Sequence, residues 1–311
     1  MDAVRAIVAQ EFPDREVASV TPTTRGNQKE TAIVRFTDGA TVVVQHTDDS
    51  DALDTESVLA QRIRAETSVP VPRQLAQGTL DARAYVVVEH TDGADLHERF
   101  TGFAVARQQT LAATFGRYLA EVHEVCSFDA FGDVVWDSET ADFRVTGLDN
   151  WASWFRVYAL AGVDTLPAAF DDFRERLRDV FVHAAIPESP ASCLYPWDFR
   201  PGNALVQDGT VTALIDWGDP LAGAPGLSVA KAEHLVCDWY VKSSEPFRTA
   251  FRRGYETVRP YPAVDAAYRL AAIVHSAVDS RGDVTRPGFP ERTGVDAVSF
   301  HRARLAAVLS E

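Results

Sequence analysis

Residues 194–220 read LYPWDFRPGNALVQDGTVTALIDWGDP. Two short apolar runs, 204–206 and 210–215, flank Asp208-Gly209, and an Asp-Gly pair between β-type runs is a strong hairpin signal. A turn centred there pairs Asn203 with about Leu214. Asn203 and Asp216 then emerge together at the open end of the hairpin, and Asp198 lies on the loop that feeds its first strand. Two carboxylates and an amide oxygen thereby converge. An all-oxygen set of this kind suits a hard cation such as Mg²⁺ and leaves one carboxylate to serve as a base.

Composition narrows the setting of this hairpin. A chain of 311 residues, 46% of them hydrophobic, is long enough for one large or two medium domains with a real core. It contains no apolar run of membrane-spanning length, and its first residues, MDAVRAIVAQEF, lack the basic start and apolar core of a signal peptide. The expectation is a soluble, cytoplasmic protein. Cys126, Cys193 and Cys237 are odd in number and far apart, which fits neither a disulfide framework nor a zinc site. Forty-five acidic residues against 30 basic ones give a formal charge of −15, which argues against nucleic acid or an anionic membrane as partner. The only lysines are Lys29, Lys231 and Lys242. An acid-rich, lysine-poor composition of this type resembles that of salt-adapted archaeal proteins, in which concentrated salt screens self-repulsion.

In chain order, residues 1–12 read as an amphipathic helix and 17–21 as a strand. A polar turn with one glycine follows at 23–29, and β-type runs at 31–36 and 41–46 enclose a second Asp-Gly pair, Asp38-Gly39. Residues 51–66 have helical spacing and end at Val69-Pro70-Val71-Pro72. Residues 85–88 form a strand leading to Glu89-His90-Thr91-Asp92-Gly93. Helical spacing recurs at 104–126, at Trp151, Trp154, Phe155 and Tyr158, at 170–184, 228–241, 263–280 and 302–309. The stretches 128–149 and 281–294 read as irregular.

The central segment resembles the catalytic stretch of the aminoglycoside phosphotransferase and choline kinase-like family. There His-Gly-Asp is followed after four residues by Asn, and then by a hairpin that ends in an Ile-Asp-Trp-like triplet. Asp198, Asn203 and Ile215-Asp216-Trp217 match in type and spacing. The resemblance implies a bilobal α+β protein kinase-like fold: a small antiparallel-sheet N-lobe with one main helix at residues 1–90, and a larger, mainly helical C-lobe at 91–311. It implies ATP-dependent, Mg²⁺-dependent phosphorylation of a small molecule at a hydroxyl. In that reading Asp198 is the catalytic base, and Asn203 and Asp216 hold the metal. The turn at Gly26 and Asn27 covers the nucleotide phosphates, Glu56 is the helix glutamate that anchors a strand lysine, and the hinge at Glu89 receives the adenine edge. Asp219 is a candidate for a second metal or for the acceptor.

Three departures qualify the match. Gln45 stands where the family has its strand lysine. Pairing across Asp38-Gly39 sets Gln45 opposite about Ala32, and Lys29 lies about 10 Å further along the strand, close enough to supply the missing cation. Pro196-Trp197 replaces His-Gly, and Ser228 replaces the acid that in kinase-like folds accepts N–H bonds around that His. Pro196 has no N–H to give, so donor and acceptor have changed together, and Trp197 holds the loop by packing instead. The alternative reading is a catalytically impaired, nucleotide- or ligand-binding pseudokinase. The acceptor stays open among aminoglycosides, amino alcohols, sugars and amino acids.

Overall fold

The computed structural model describes residues 1–23, 29–241, 243–286 and 292–311. The chain begins with α1 (Asp2–Glu11), β1 (Val17–Pro22), β2 (Glu30–Phe36), β3 (Thr41–Thr47), α2 (Ser50–Glu66), β4 (Gln74–Leu80) and β5 (Arg83–Glu89). These strands form one antiparallel sheet in the order β1-β2-β3-β5-β4. Alternation along β2 and β3 puts Ala32, Val34, Phe36, Val42 and Val44 on one face, where they pack on Val4, Ile7 and Val8 of α1. The other face meets α2, whose Leu53 packs on Ala84 and Val86. Asp49 caps α2 by accepting from the Ala52 N–H at 3.0 Å. The β2–β3 register differs by one from the expected pairing, because Gln45 faces Thr31 and Ala32 faces Val44. The turn has three residues, Thr37 to Gly39, between Phe36 and Ala40, so the partners shift by a residue.

Beyond β5 the chain forms β6 (Ala94–Asp95), α3 (Leu96–Arg99), α4 (Val105–Val125), β7 (Ser127–Phe128), β8 (Phe131–Asp137), β9 (Asp142–Leu148), α5 (Trp151–Thr165), α6 (Asp171–His183) and β10 (Ser192–Tyr195). It closes with β11 (Ala204–Gln207), β12 (Thr210–Leu214), β13 (Leu221–Gly223), α7 (Pro225–Glu233), α8 (Glu245–Glu256), α9 (Ala266–Val274), β14 (Thr285–Arg286), β15 (Arg292–Thr293) and α10 (Val295–Val308). The antiparallel-sheet N-terminal part and the helical remainder are the two lobes of a kinase-like fold. A π-helical turn, His234–Asp238, extends α7.

Residues 128–149 are a hairpin rather than irregular chain. β8 and β9 pair from Phe131↔Leu148 to Asp137↔Asp142 and join a second sheet in the order β7-β10-β13-β8-β9. The acids that obscured the strand pattern, Asp137, Glu139 and Asp142, lie at its turn. Helix α8 and strand β4 also form outside the expected elements.

The β11–β12 hairpin is the hub. Ala204 pairs with Leu214, one residue from the expected partner, and the Asn203 carbonyl accepts from the Ile215 N–H at 2.9 Å. β6 adds to its free edge through Leu205↔Asp95, and Thr212 Oγ1 donates to the Asp92 carbonyl at 2.9 Å. The segment between the lobes is thus stitched to the hairpin. Helices α4 and α8 enclose the core behind it, touching at Gly116 and Gly254, where a Cβ would approach the opposing carbonyls to 2.0 and 1.9 Å. All three cysteines are free and buried. Among the described residues no helix is long and apolar enough to cross a membrane.

Candidate active site

The hairpin and the loop before it bring Asp198, Asn203 and Asp216 together. Asn203 is buried, and its Nδ2 donates to the Asp198 carbonyl at 2.9 Å and to Asp198 Oδ2 at 3.4 Å. Its Oδ1 is thereby turned to accept or to ligate. Asp216 has φ +67°, a left-handed conformation that an Asp tolerates better than most side chains, because it can bond locally. The flanking bonds hold it there: Ile215 N–H to the Asn203 carbonyl, and Trp217 Nε1 to the Leu214 carbonyl at 3.3 Å. Crowding by protein, and then by the Asp198 and Asp219 carboxylates, pushes the Asp216 carboxyl above its usual range against the pull of Lys29.

Lys29 lies at the head of β2 and donates to Glu56 Oε2 of α2. Its Nζ is also 4.0 Å from Asp216 Oδ1. Burial raises the Glu56 carboxyl while Lys29 opposes the rise. Gln45 is half-buried on β3, on the face opposite Val44, and supplies no charge. The ammonium paired with Glu56 is that of Lys29, immediately before β2. Glu89 ends β5 with its backbone N–H on the Arg73 carbonyl at 2.9 Å. Its carboxylate accepts from the Arg73 N–H at 2.8 Å and faces Arg64 and Arg73, so the side chain fixes the sheet edge. Gly26 and Asn27 lie outside the described residues.

The substituted scaffold residues have found other partners. Ser228 Oγ is 2.9 Å from Nε2 of His123, whose Nδ1 is 2.8 Å from the Tyr255 hydroxyl. Burial pushes this His down to about 3, so it is neutral, and two hydroxyls suit its one donor and one acceptor. Trp197 packs edge-on against His275 and Tyr158, with centroids 5.8 and 6.4 Å away.

Two charged residues escaped the sequence reading. Arg200 donates through Nε to Asp198 Oδ2 at 2.8 Å, with its terminal nitrogen at 2.8 Å as well. Its place two residues after Asp198 was the available signal. Lys231 of α7 is 3% exposed, with Nζ 3.2 Å from the centroid of the Trp197 ring. Burial, and then Arg200, push it down to about 7 against the pull of Asp198. Its signal was rarity, one of three lysines in an acid-rich chain.

Among the described residues no three His, Cys, Asp or Glu side chains form a ready-made metal cage. The fit is to Mg²⁺ with phosphates, since that ion keeps waters and takes few protein ligands. The amide oxygen of Asn203 and the carboxylate of Asp216, whose proton affinity is raised first by burial and then by neighbouring carboxylates, suit it.

The sequence model of the phosphotransferase enzyme family matches residues 19–268. Among solved structures, aminoglycoside phosphotransferase APH(4)-Ia superposes with a TM-score of 0.66 at 16% identity, covering 99% of this chain and 98% of that one. A thermostable mutant of that enzyme, in a ternary complex with AMP-PNP and hygromycin B, superposes with a TM-score of 0.64 at 17% identity, covering 100% and 98%. The macrolide 2'-phosphotransferase MphH from Brachybacterium faecium superposes with a TM-score of 0.60 at 17% identity, covering 99% and 97%. A search of curated proteins found no sequence match. With the family pattern running from the first sheet to the last large helices, the chain belongs to the phosphotransferase enzyme family.

Proposed function

We propose that the protein transfers the γ-phosphoryl group of ATP to a hydroxyl of a small molecule. The nucleotide binds to a lobe spanning residues 1–90, and the acceptor and catalytic groups belong to residues 91–311. One observation carries this reading: Lys29 pairs with Glu56 and lies 4.0 Å from Asp216. A nucleotide triphosphate needs a fixed cation on the protein, and Lys29 provides it although position 45 is Gln.

Each residue then has a task. Glu56 fixes the direction of the Lys29 ammonium. The turn at Gly26 and Asn27 offers backbone N–H groups to the phosphates, and the backbone from Glu89 onward takes the adenine edge. Asn203 and Asp216 would hold Mg²⁺, which would offset charge on the transferring group. Asp198 Oδ2 is retained by Arg200, leaving Oδ1 to accept the hydroxyl proton as the new O–P bond forms.

The test is calorimetric titration with ATP in concentrated KCl, with and without Mg²⁺. Binding that requires Mg²⁺ and weakens in Lys29→Ala is the expected result. The loss should be about ten- to a hundredfold, given roughly 1.5–3 kcal/mol for a charged hydrogen bond. Absence of ATP and GTP binding at every salt concentration would sink the proposal. Gln45 and the grip of Arg200 on Asp198 favour a second reading, an impaired nucleotide- or ligand-binding pseudokinase. Tight ATP binding without phosphoryl transfer to any acceptor or to water would select it.

A further inference from the structure

Lys231 is a charge that the phosphate chemistry leaves unused. It projects from α7 with 3% of its surface exposed, its Nζ 3.2 Å from the Trp197 centroid and 5.6 Å from that of Tyr195. A buried ammonium is normally paired and hydrogen-bonded. This one has aromatic faces beneath it and no hydrogen-bond acceptor among the described residues. The charges acting on it are the Asp198 carboxylate and the Arg200 guanidinium. Asp198 Oδ2 is already taken by Arg200 at 2.8 Å, with Asn203 Nδ2 at 3.4 Å. When Lys231 is protonated, the trio Asp198, Arg200 and Lys231 carries one positive charge in excess, in a chain whose formal charge is −15. His275, edge-on to Trp197 with centroids 5.8 Å apart, adds no charge, since burial holds it down to about 3.

We propose that Lys231 is the specificity-determining group of the acceptor site, binding an anionic oxygen group of a small hydroxylated acceptor whose hydroxyl lies against Asp198. The assignment of the ligand as an acceptor rests on the phosphotransfer reading; the anion site itself does not. An ammonium presents up to three N–H donors, and the indole beneath it excludes water, so a charge-assisted bond to an anion is strengthened there. A cationic acceptor would instead meet two like charges, Lys231 and Arg200, beside the base. Hydroxy acids and sugar acids fit this site, whereas choline-like amino alcohols and aminoglycosides do not.

With three lysines in the chain, labelling the lysine ε-carbons with ¹³C gives three signals, and Lys231→Met identifies the one of interest. Glycolate, glycerate and gluconate are titrated one by one into the wild-type protein, and choline and glucosamine in parallel. The expected result is a saturable shift of the Lys231 signal with at least one of the acids at millimolar concentration, and none with the two amines. Lys231→Arg should keep the binding of that acid, and Lys231→Met should lose it. Failure of all three acids to move the signal, or an equal response to the amines, would overturn the proposal. The wild-type titration decides even if a variant does not fold. ATP binding on the same sample is read separately. Its absence alongside an intact anion response would overturn the phosphotransfer reading, and the word acceptor with it, while leaving the anion site.

Discussion

In the proposed reaction Asp198 is the base, and its environment is asymmetric. One carboxylate oxygen is engaged by Arg200 and Asn203, and among the described residues the other has no such engagement. Replacing it with Asn keeps the shape and removes the basic oxygen. Turnover by Asp198→Asn should fall about 10²- to 10⁴-fold, the usual contribution of a positioned base, with ATP affinity within about twofold of wild type. Wild-type turnover in that variant, measured by coupled ADP release, would refute the assignment. The spacing of Asp198, Asn203 and Asp216 was legible because a hairpin ties residues that are near in sequence. Arg200 was nearly so. Lys231 was not, since its partners Trp197 and Tyr195 are more than 30 positions away and only the packing of α7 against β10 brings them together.

At the scale of elements, the tightest joint is that of α4 with α8. A Cβ at Gly254 would come within 1.9 Å of the Ala113 carbonyl, backbone that cannot swing aside. Gly254→Ala should destabilise the fold by about 1–3 kcal/mol, the usual range for overpacking, read as a lower urea midpoint. An unchanged or higher midpoint would show that the helices separate freely. Helix α8 lay outside the expected elements although its signal is in the sequence, since Phe247, Phe251 and Tyr255 recur every four residues and Glu, Arg and Thr fill the opposite face. The β8–β9 hairpin was hidden because its turn is acidic, and Trp136, Phe143 and Val145 are only partly buried. By contrast α2, with Leu53, Leu59 and Ile63 on one face and a proline stop behind, was readable from end to end.

At the scale of the whole molecule, two physical terms set the response to solution conditions. His123, His275 and His301 are each held down to about 3 by burial, against a usual 6.5. Below pH 6.5 the unfolded chain takes up protons that the folded one refuses. The stability these groups contribute is therefore complete above that pH and is lost as pH falls towards 3, at about 1.4 kcal/mol per pH unit for each group. Urea midpoints should drop between pH 7 and pH 5; equal midpoints would contradict the neutral assignment. The second term is the formal charge of −15. Raising KCl from about 0.1 M to about 1 M shortens the screening length from about 10 Å to about 3 Å, so Tm should rise with salt. A flat response would show that the acidic excess is not self-repulsive in the folded state. By itself the sequence determined the fold class, the hairpin that gathers Asp198, Asn203 and Asp216, and the sign of the net charge, because those depend on local spacing, turn chemistry and composition. Only the tertiary structure decided that Lys29 faces Glu56, that Ser228 answers to His123, and that Lys231 stands on Trp197 beside Asp198. Each of these pairs joins elements distant in the chain, and the choice of partner was made by how helices and sheets pack, which no local pattern encodes.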